Sequence, residues 1–427
     1  MKVKSRQLKY FLLTMLLLFD NVFQRIDILR YWDETIVLLL FLAVVSKRLR
    51  YNVSRNTYTL LNLLTLLIAV GTVGTITLYT LQPYKIAIIK DMIAFIKFPA
   101  VWILINHLSV RHYTYPETKR DELYAMDVAA RVFIVLAITG ALLGWLFKLP
   151  YYTGDYRLVN PYQFVFDHPT VLVASTVFSM GIILTSDRKG KNCFLFLGCI
   201  LLFMSQRAKG YVAILIIVLL VIMKESWIQG ILPIGNMKRG GIIYAALFLL
   251  LTGGMTYAML QGKFQSYREA GMSAARVALY VTGINLAIRY FPFGTGFGTF
   301  GTYLSGEYYS NIYHRENLDW IAGLRPDAHE YAGDALYAGI IGQFGFLGLL
   351  IYLILLARMC LCDLAIAKEI TVKGVLLIWI YAVMASVTET YFTNSTAVAM
   401  AIILIMILQP LKRESNHMPV WRIAVDT

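Results

Sequence analysis

Uncharged apolar runs of near-bilayer length recur along this chain and leave it few folds to adopt. Residues 170–185, 335–356 and 396–410 contain no charged side chain. A transmembrane helix takes roughly 17–25 mostly apolar residues, and a helix satisfies its own backbone in lipid. About twelve runs qualify: residues 8–24, 33–46, 58–80, 86–107, 124–146, 170–185, 193–205, 209–223, 241–260, 335–356, 374–391 and 396–410. The composition agrees, with 58% hydrophobic and 15% charged residues among 427, against roughly a quarter charged in soluble domains. Mean hydropathy is +0.63. A soluble globule, a disordered chain and a coiled coil are excluded. The expectation is an all-α, polytopic helical integral membrane protein, with residues 1–427 as one membrane domain.

The formal charge is +14. Most cations sit in short loops between apolar runs, which is the pattern of cytoplasmic retention and implies no nucleic-acid partner. With the N terminus inside, the inner segments are 1–9, 46–57, 108–122, 186–192, 224–240, 357–373 and 411–427, and they hold 23 Lys and Arg. The outer segments 20–33, 81–85, 147–169, 205–209, 261–333 and 391–395 hold 13, or 7 without the long one. Short loops decide orientation, so both termini are expected in the cytoplasm. The run from Leu8 reads as a retained signal anchor. Cys193, Cys199, Cys360 and Cys362 lie in or beside apolar runs and give neither a disulfide framework nor zinc spacing.

Two outer segments are large enough for chemistry: 147–169, and the 73-residue stretch 261–333. The second carries a helical pattern from Ala274 to Tyr290, with Val277, Tyr280, Val281, Ile284 and Ile288 on one face. Pro292, Gly294, Gly296 and Gly298 then end the helix and turn the chain. This segment is expected to lie along the outer membrane face or to dip into a cavity.

Four clusters could carry chemistry. Ser205-Gln206-Arg207-Ala208-Lys209-Gly210 interrupts an apolar run with two cations. They read as an anion clamp for phosphate or pyrophosphate, or as side chains snorkelling to headgroups. Arg276 opens the loop helix, flanked by Arg268 and Arg289, and each could equally face solvent or headgroups. His329 and Asp334 stand where the long loop enters a span, as proton acceptors or, for Asp334, as a helix N-cap. Arg157 and His168 belong to the other outer loop, and His168 could also serve as a cap. Asp127 and Arg131 are spaced to pair on a helix, while Lys90, Asp91 and Lys97 line a polar interior or pair locally. There is no P-loop, G-x-S-x-G or H-E-x-x-H element and no dense carboxylate cluster, so no metal or cofactor is expected.

The order of these elements resembles the bacterial polysaccharide polymerase and O-antigen ligase superfamily. The segment FVFDHPTVLVAS, Phe164 to Ser175, is similar to the Gly-Phe-x-His-Pro-Asn stretch that precedes a span in capsular and exopolysaccharide polymerases, with Thr170 in place of Asn. SQRAKGYVAILI resembles the Ser-x-Arg motif opening a span and puts the family arginine on Arg207. ARVALYVTGINLAIRYFPFGTGFGTF resembles the outer-loop helix with its leading arginine, Arg276, and its glycine turn. DALYAGIIGQFGFLGLL resembles the motif that closes the outer loop. Ligases carry a His eleven residues before the first Gly of the closing pair. Here that position, counted from Gly345, is Asp334, as in many polymerases, and His329 fits only with a gap.

The resemblance implies a GT-C-like, metal-independent, inverting glycosyltransferase of the bacterial cytoplasmic membrane, acting at its outer face. It would polymerise undecaprenyl-pyrophosphate-linked repeat units into capsule, exopolysaccharide or O-antigen. Arg207, Lys209 and Arg276, with Arg157 and Arg289, would bind pyrophosphate or sugar. Asp334, His329 or His168 would take the acceptor proton. A flippase and a chain-length regulator of the same pathway are the implied protein partners. The alternatives are a ligase that transfers polymer to lipid A-core and a lipid-linked oligosaccharide flippase.

Overall fold

A computed structural model describes residues 5–48, 55–109, 119–153, 160–223, 267–367 and 369–415. The predicted span 241–260 and Arg157 lie outside the described residues. Described regular structure is helical apart from an isolated antiparallel bridge between Tyr152 and Tyr162. The long helices are α1 (Ser5–Leu18), α2 (Trp32–Arg48), α3 (Arg55–Thr77), α4 (Lys85–Ser109), α5 (Lys119–Phe147), α6 (Pro169–Leu184), α7 (Lys191–Met204), α8 (Ala208–Ile222), α9 (Ala275–Arg289), α10 (Leu336–Ile366), α11 (Glu369–Ala385) and α12 (Ser395–Ser415).

Several long apolar helices mark a multi-pass membrane protein. The described helices do not by themselves make twelve clear spans. By length and composition, three described helices are able to cross a membrane: Asn56–Thr77, Asp121–Phe147 and Leu336–Ile366. The pair Tyr267–Ser273 and Ala275–Arg289, bent by 62°, would make a fourth as a broken span or re-entrant loop. Five predicted spans correspond to apolar helices of 10–17 residues: Pro169–Leu184, Lys191–Met204, Ala208–Ile222, Val372–Ala385 and Ser395–Leu408. The reason is length: Lys191–Met204 and Ala208–Ile222 are 14 and 15 residues long, shorter than the roughly 17–25 a crossing usually takes.

Contacts sort the connecting segments to two ends of the bundle. At one end Arg6 pairs with Glu122 at 2.6 Å, and Asp127 pairs with Arg131 at 2.9 Å and Arg188 at 3.0 Å. There the buried Asp363 accepts from the indoles of Trp102 at 3.1 Å and Trp379 at 2.9 Å. At the other end Arg25 pairs with Asp167 at 2.6 Å, Tyr162 N donates to Met204 O at 2.9 Å, and Asn311 N donates to Leu81 O at 3.0 Å. These contacts join segments that the charge pattern assigns to one side. Between the ends runs a continuous apolar core, with Phe98, Phe133, Leu172, Val177, Leu201, Tyr352 and Trp379 fully enclosed.

The described part of the long loop, 267–333, is built rather than structureless. It has its own small core of Leu81, Leu279, Phe300, Tyr313, Leu318 and Leu324. Helix α9 runs beside the first half of α10 in the same direction. Arg276 meets Asp334, Gly283 abuts Ala338, and Gly294 abuts Gln343. Of the two expectations, insertion holds for the turn that follows: residues 294–301 are wedged between α3, α4 and α10. Their backbone is bonded by neighbours. Thr295 N and Gly296 N donate to Gly342 O at 3.0 Å and Gln343 O at 2.7 Å. Gly298 N donates to the buried Asp91 carboxylate at 2.8 Å, and the Gln82 amide donates to Gly298 O at 2.6 Å. Phe297 N donates to Thr75 Oγ1 at 2.9 Å. At Gly345, φ 65° breaks the helical path of α10 where the turn presses against it.

A Cβ on Gly296 would lie 2.2 Å from Thr75 N, at φ +89°. Gly296→Ala is therefore expected to destabilise the protein by on the order of 3 kcal/mol. Gly271→Ala, with φ +51° and open space around it, should cost about 1–2 kcal/mol from backbone strain alone. Thermal unfolding of the two variants in detergent checks the order.

Candidate functional site

The tight turn between α7 and α8 puts two cations at one end of the bundle. Ser205 Oγ donates back to Leu202 O at 2.6 Å and accepts from Arg207 N at 3.4 Å. Arg207 thus occupies the N-cap position of α8, half-buried, and Lys209 follows in its first turn. Lys209 Nζ pairs with Glu389 at 2.6 Å, and both side chains are largely enclosed. The first turn of α9 carries Arg276, whose guanidinium donates to Asp334 Oδ2 at 2.7 Å and to the Tyr267 hydroxyl at 2.7 Å. Its Nε is buried with no hydrogen bond among the described residues. The two ion pairs lie within electrostatic reach of each other, since Arg276 and Asp334 act on Lys209, and Lys209 and Glu389 act on Asp334. A backbone bond from Thr390 N to Gly333 O, 3.0 Å, ties the two carboxylate-bearing segments together.

The Asp334 capping expectation is corrected. The N-cap position of α10 belongs to Ala335, which makes no side-chain cap bond, and the Asp334 carboxylate reaches Arg276 instead. Burial pushes the Asp334 carboxyl above its ordinary range, against the pull of Arg276 and Lys209. Asp334 Oδ1 makes no hydrogen bond among the described residues. Such a carboxylate is a better proton acceptor than a solvated one.

The other predicted residues are placed elsewhere. Arg289, thirteen positions along α9 from Arg276 and about 20 Å away by helical rise, is exposed and pairs with Glu316. His168 is an exposed N-cap of α6: its Nδ1 accepts from Thr170 N at 3.3 Å and sits 2.7 Å from Thr170 Oγ1. Of its two readings, capping is the one with geometry behind it. His329 has its ring 6.2 Å from that of Tyr303, and its Nδ1 lies 3.3 Å from Pro326 O. Lys97 pairs with Asp33 at 2.6 Å, and Lys90 donates to the Tyr308 hydroxyl at 2.9 Å. Among the described residues no group of three or more His, Cys, Asp and Glu is arranged to hold a metal.

Sequence reasoning missed Glu389 and Tyr267. Glu389 was legible in principle, as the one carboxylate closing an otherwise apolar run, where a charge needs a partner. A guanidinium and an ammonium, each paired with a carboxylate, are groups whose chemistry also suits an anionic ligand. Comparison with protein-family models and with curated proteins gave no match.

Because folding raises the Asp334 pKa, its contribution to stability is greatest below the ordinary carboxylate range and declines as pH rises through the folded value. Wild type should lose stability relative to Asp334→Asn on going from about pH 4 to pH 7. Melting curves of both proteins across that range measure the difference.

Proposed function

We propose that the chain is a membrane-embedded glycosyltransferase that joins undecaprenyl-pyrophosphate-linked oligosaccharide repeat units into a surface polysaccharide. The reading includes a GT-C-like, twelve-span arrangement in the bacterial cytoplasmic membrane, both termini cytoplasmic and the reaction at the outer face. The observation that carries it is the pair of adjoining ion pairs, Arg276–Asp334 and Lys209–Glu389, where the glycine-turn helix, the α7–α8 turn and the start of α10 converge. The motif order that resembles polysaccharide polymerases falls on these segments.

In this reading the donor saccharide leaves undecaprenyl pyrophosphate. Arg276 and Lys209, with Arg207 on the same turn as Lys209, hold the diphosphate and stabilise the charge that grows as its bond to the anomeric carbon breaks. The acceptor hydroxyl attacks that carbon from the opposite face, so configuration inverts. Its proton passes to Asp334, whose raised affinity for protons suits that role. The new glycosidic bond and free undecaprenyl pyrophosphate are the products. The cations supply the positive charge on the leaving group, so the step requires no metal. A flippase and a chain-length regulator would act before and alongside it.

Arg276→Ala and Arg207→Ala are expected to abolish polymer while the protein level in the membrane stays normal. Deleting the gene should leave single repeat units on undecaprenyl pyrophosphate or on the surface anchor. Full-length polymer in both arginine variants removes the clamp. Long polymer stranded on undecaprenyl pyrophosphate in the deletion strain makes the protein a ligase instead.

A further inference from the structure

Two tyrosine rings and an imidazole stand partly exposed near Asp334, and two of these side chains, Tyr331 and His329, are packed from behind. Tyr331 is 46% exposed and Tyr303 57% exposed. The Tyr331 ring rests on Gly323, where a Cβ would fall 2.0 Å from ring Cδ2, and Tyr331 N donates to Gly323 O at 3.0 Å. His329 is seated the same way on Gly306, where a Cβ would lie 3.1 Å from His329 Cβ and 3.3 Å from ring Cδ2. Neither the Tyr303 nor the Tyr331 hydroxyl makes a hydrogen bond among the described residues. The platform joins the charged site through the backbone. Asp334 N donates to Tyr331 O at 3.0 Å, and a Cβ on Gly333 would lie 3.1 Å from Tyr303 N.

Exposed aromatics on a membrane protein can belong to an interfacial belt. The setting here argues otherwise. Arg325, Asp327 and Glu330 are exposed on the same stretch, so this surface faces water rather than acyl chains. Tyr303 beside the His329 imidazole, and Tyr331 closely packed on Gly323, offer what suits a pyranose ring: an apolar C–H face to stack on and hydroxyls to bond. Fixed rings also lose little conformational freedom on binding.

We infer that Tyr303, His329 and Tyr331 form a saccharide-binding platform that holds the terminal sugar of the acceptor chain beside Asp334. This rests on the glycosyltransferase reading. Asp334 takes the proton from the acceptor hydroxyl, so the sugar stacked next to it is the acceptor's. His329 is on this account a sugar contact, and Asp334 alone receives the proton.

The test separates binding from turnover. The full chain is purified into nanodiscs and titrated with short oligosaccharides released from the host's own surface polymer, free of lipid and pyrophosphate. Saturation-transfer NMR and intrinsic fluorescence read the binding. Tyr303→Ala and Tyr331→Ala should each weaken it by about tenfold with an unchanged melting temperature. Tyr331→Trp, which keeps a stacking face, should retain it. Arg276→Ala should bind the oligosaccharide as wild type does and make no polymer in cells. Wild-type affinity in both tyrosine-to-alanine variants, or no binding by wild type, overturns the platform. If Arg276→Ala still loses polymer in that case, the glycosyltransferase reading survives without it. Polymer made normally by Arg276→Ala refutes the clamp, whatever the tyrosines do.

Discussion

Everything at the proposed site hangs on a stretch of backbone that is neither helix nor strand yet lies among apolar helices. A peptide group walled off from water must find a partner, and in a membrane protein irregular backbone survives only where protein supplies one. Residues 294–301 find theirs in Asp91, Gln82, Thr75 and Gln343. The same bonds tie α3, α4 and α10 to one another. Because α9 leads directly into this turn, its position along α10 is set, and Arg276 at its start is delivered to Asp334. From sequence Asp91 reads as lining a polar interior or pairing locally. In the structure its Oδ2 accepts the Gly298 N–H, while Oδ1 is enclosed with no hydrogen bond among the described residues.

The resting charge state of the site follows from burial. Arg276 is half-buried and Lys209 largely buried, and each is paired with a carboxylate. The site is therefore close to neutral without ligand. In the proposed reading a diphosphate brings its own negative charge and would compete with Asp334 and Glu389 for the two cations. Displacing Asp334 from Arg276 would leave the carboxylate near the acceptor with less positive charge beside it and a greater appetite for a proton. In the proposed reading, one salt bridge would couple donor binding to activation of the base.

Much of this was legible in the sequence, because it rests on short-range rules. Helical class came from apolar run length, and the sorting of loops to two ends came from the Lys and Arg pattern. The helix over Ala274–Tyr290 came from spacing, against Ala275–Arg289 in the structure. Arg207, Lys209, Arg276 and Asp334 stood out as charges at the mouths of apolar runs. What local rules do not contain is partner choice across the fold. Glu389 is 180 residues from Lys209 in the chain, and nothing near either announces the other. Asp334 sat where a helix cap would, yet its carboxylate went to an arginine 58 residues upstream. Span count was the least legible feature, since apolar helices such as Lys191–Met204 and Ala208–Ile222 are shorter than a bilayer crossing usually takes.

The most direct test of glycosyl transfer is reconstitution. The purified protein in proteoliposomes would be given undecaprenyl-pyrophosphate-linked repeat units from its own host. A ladder of longer oligosaccharides, with one undecaprenyl pyrophosphate released for each bond made, is the predicted result. Repeat units that stay single, or that cross to the other leaflet unchanged in length, would contradict the account.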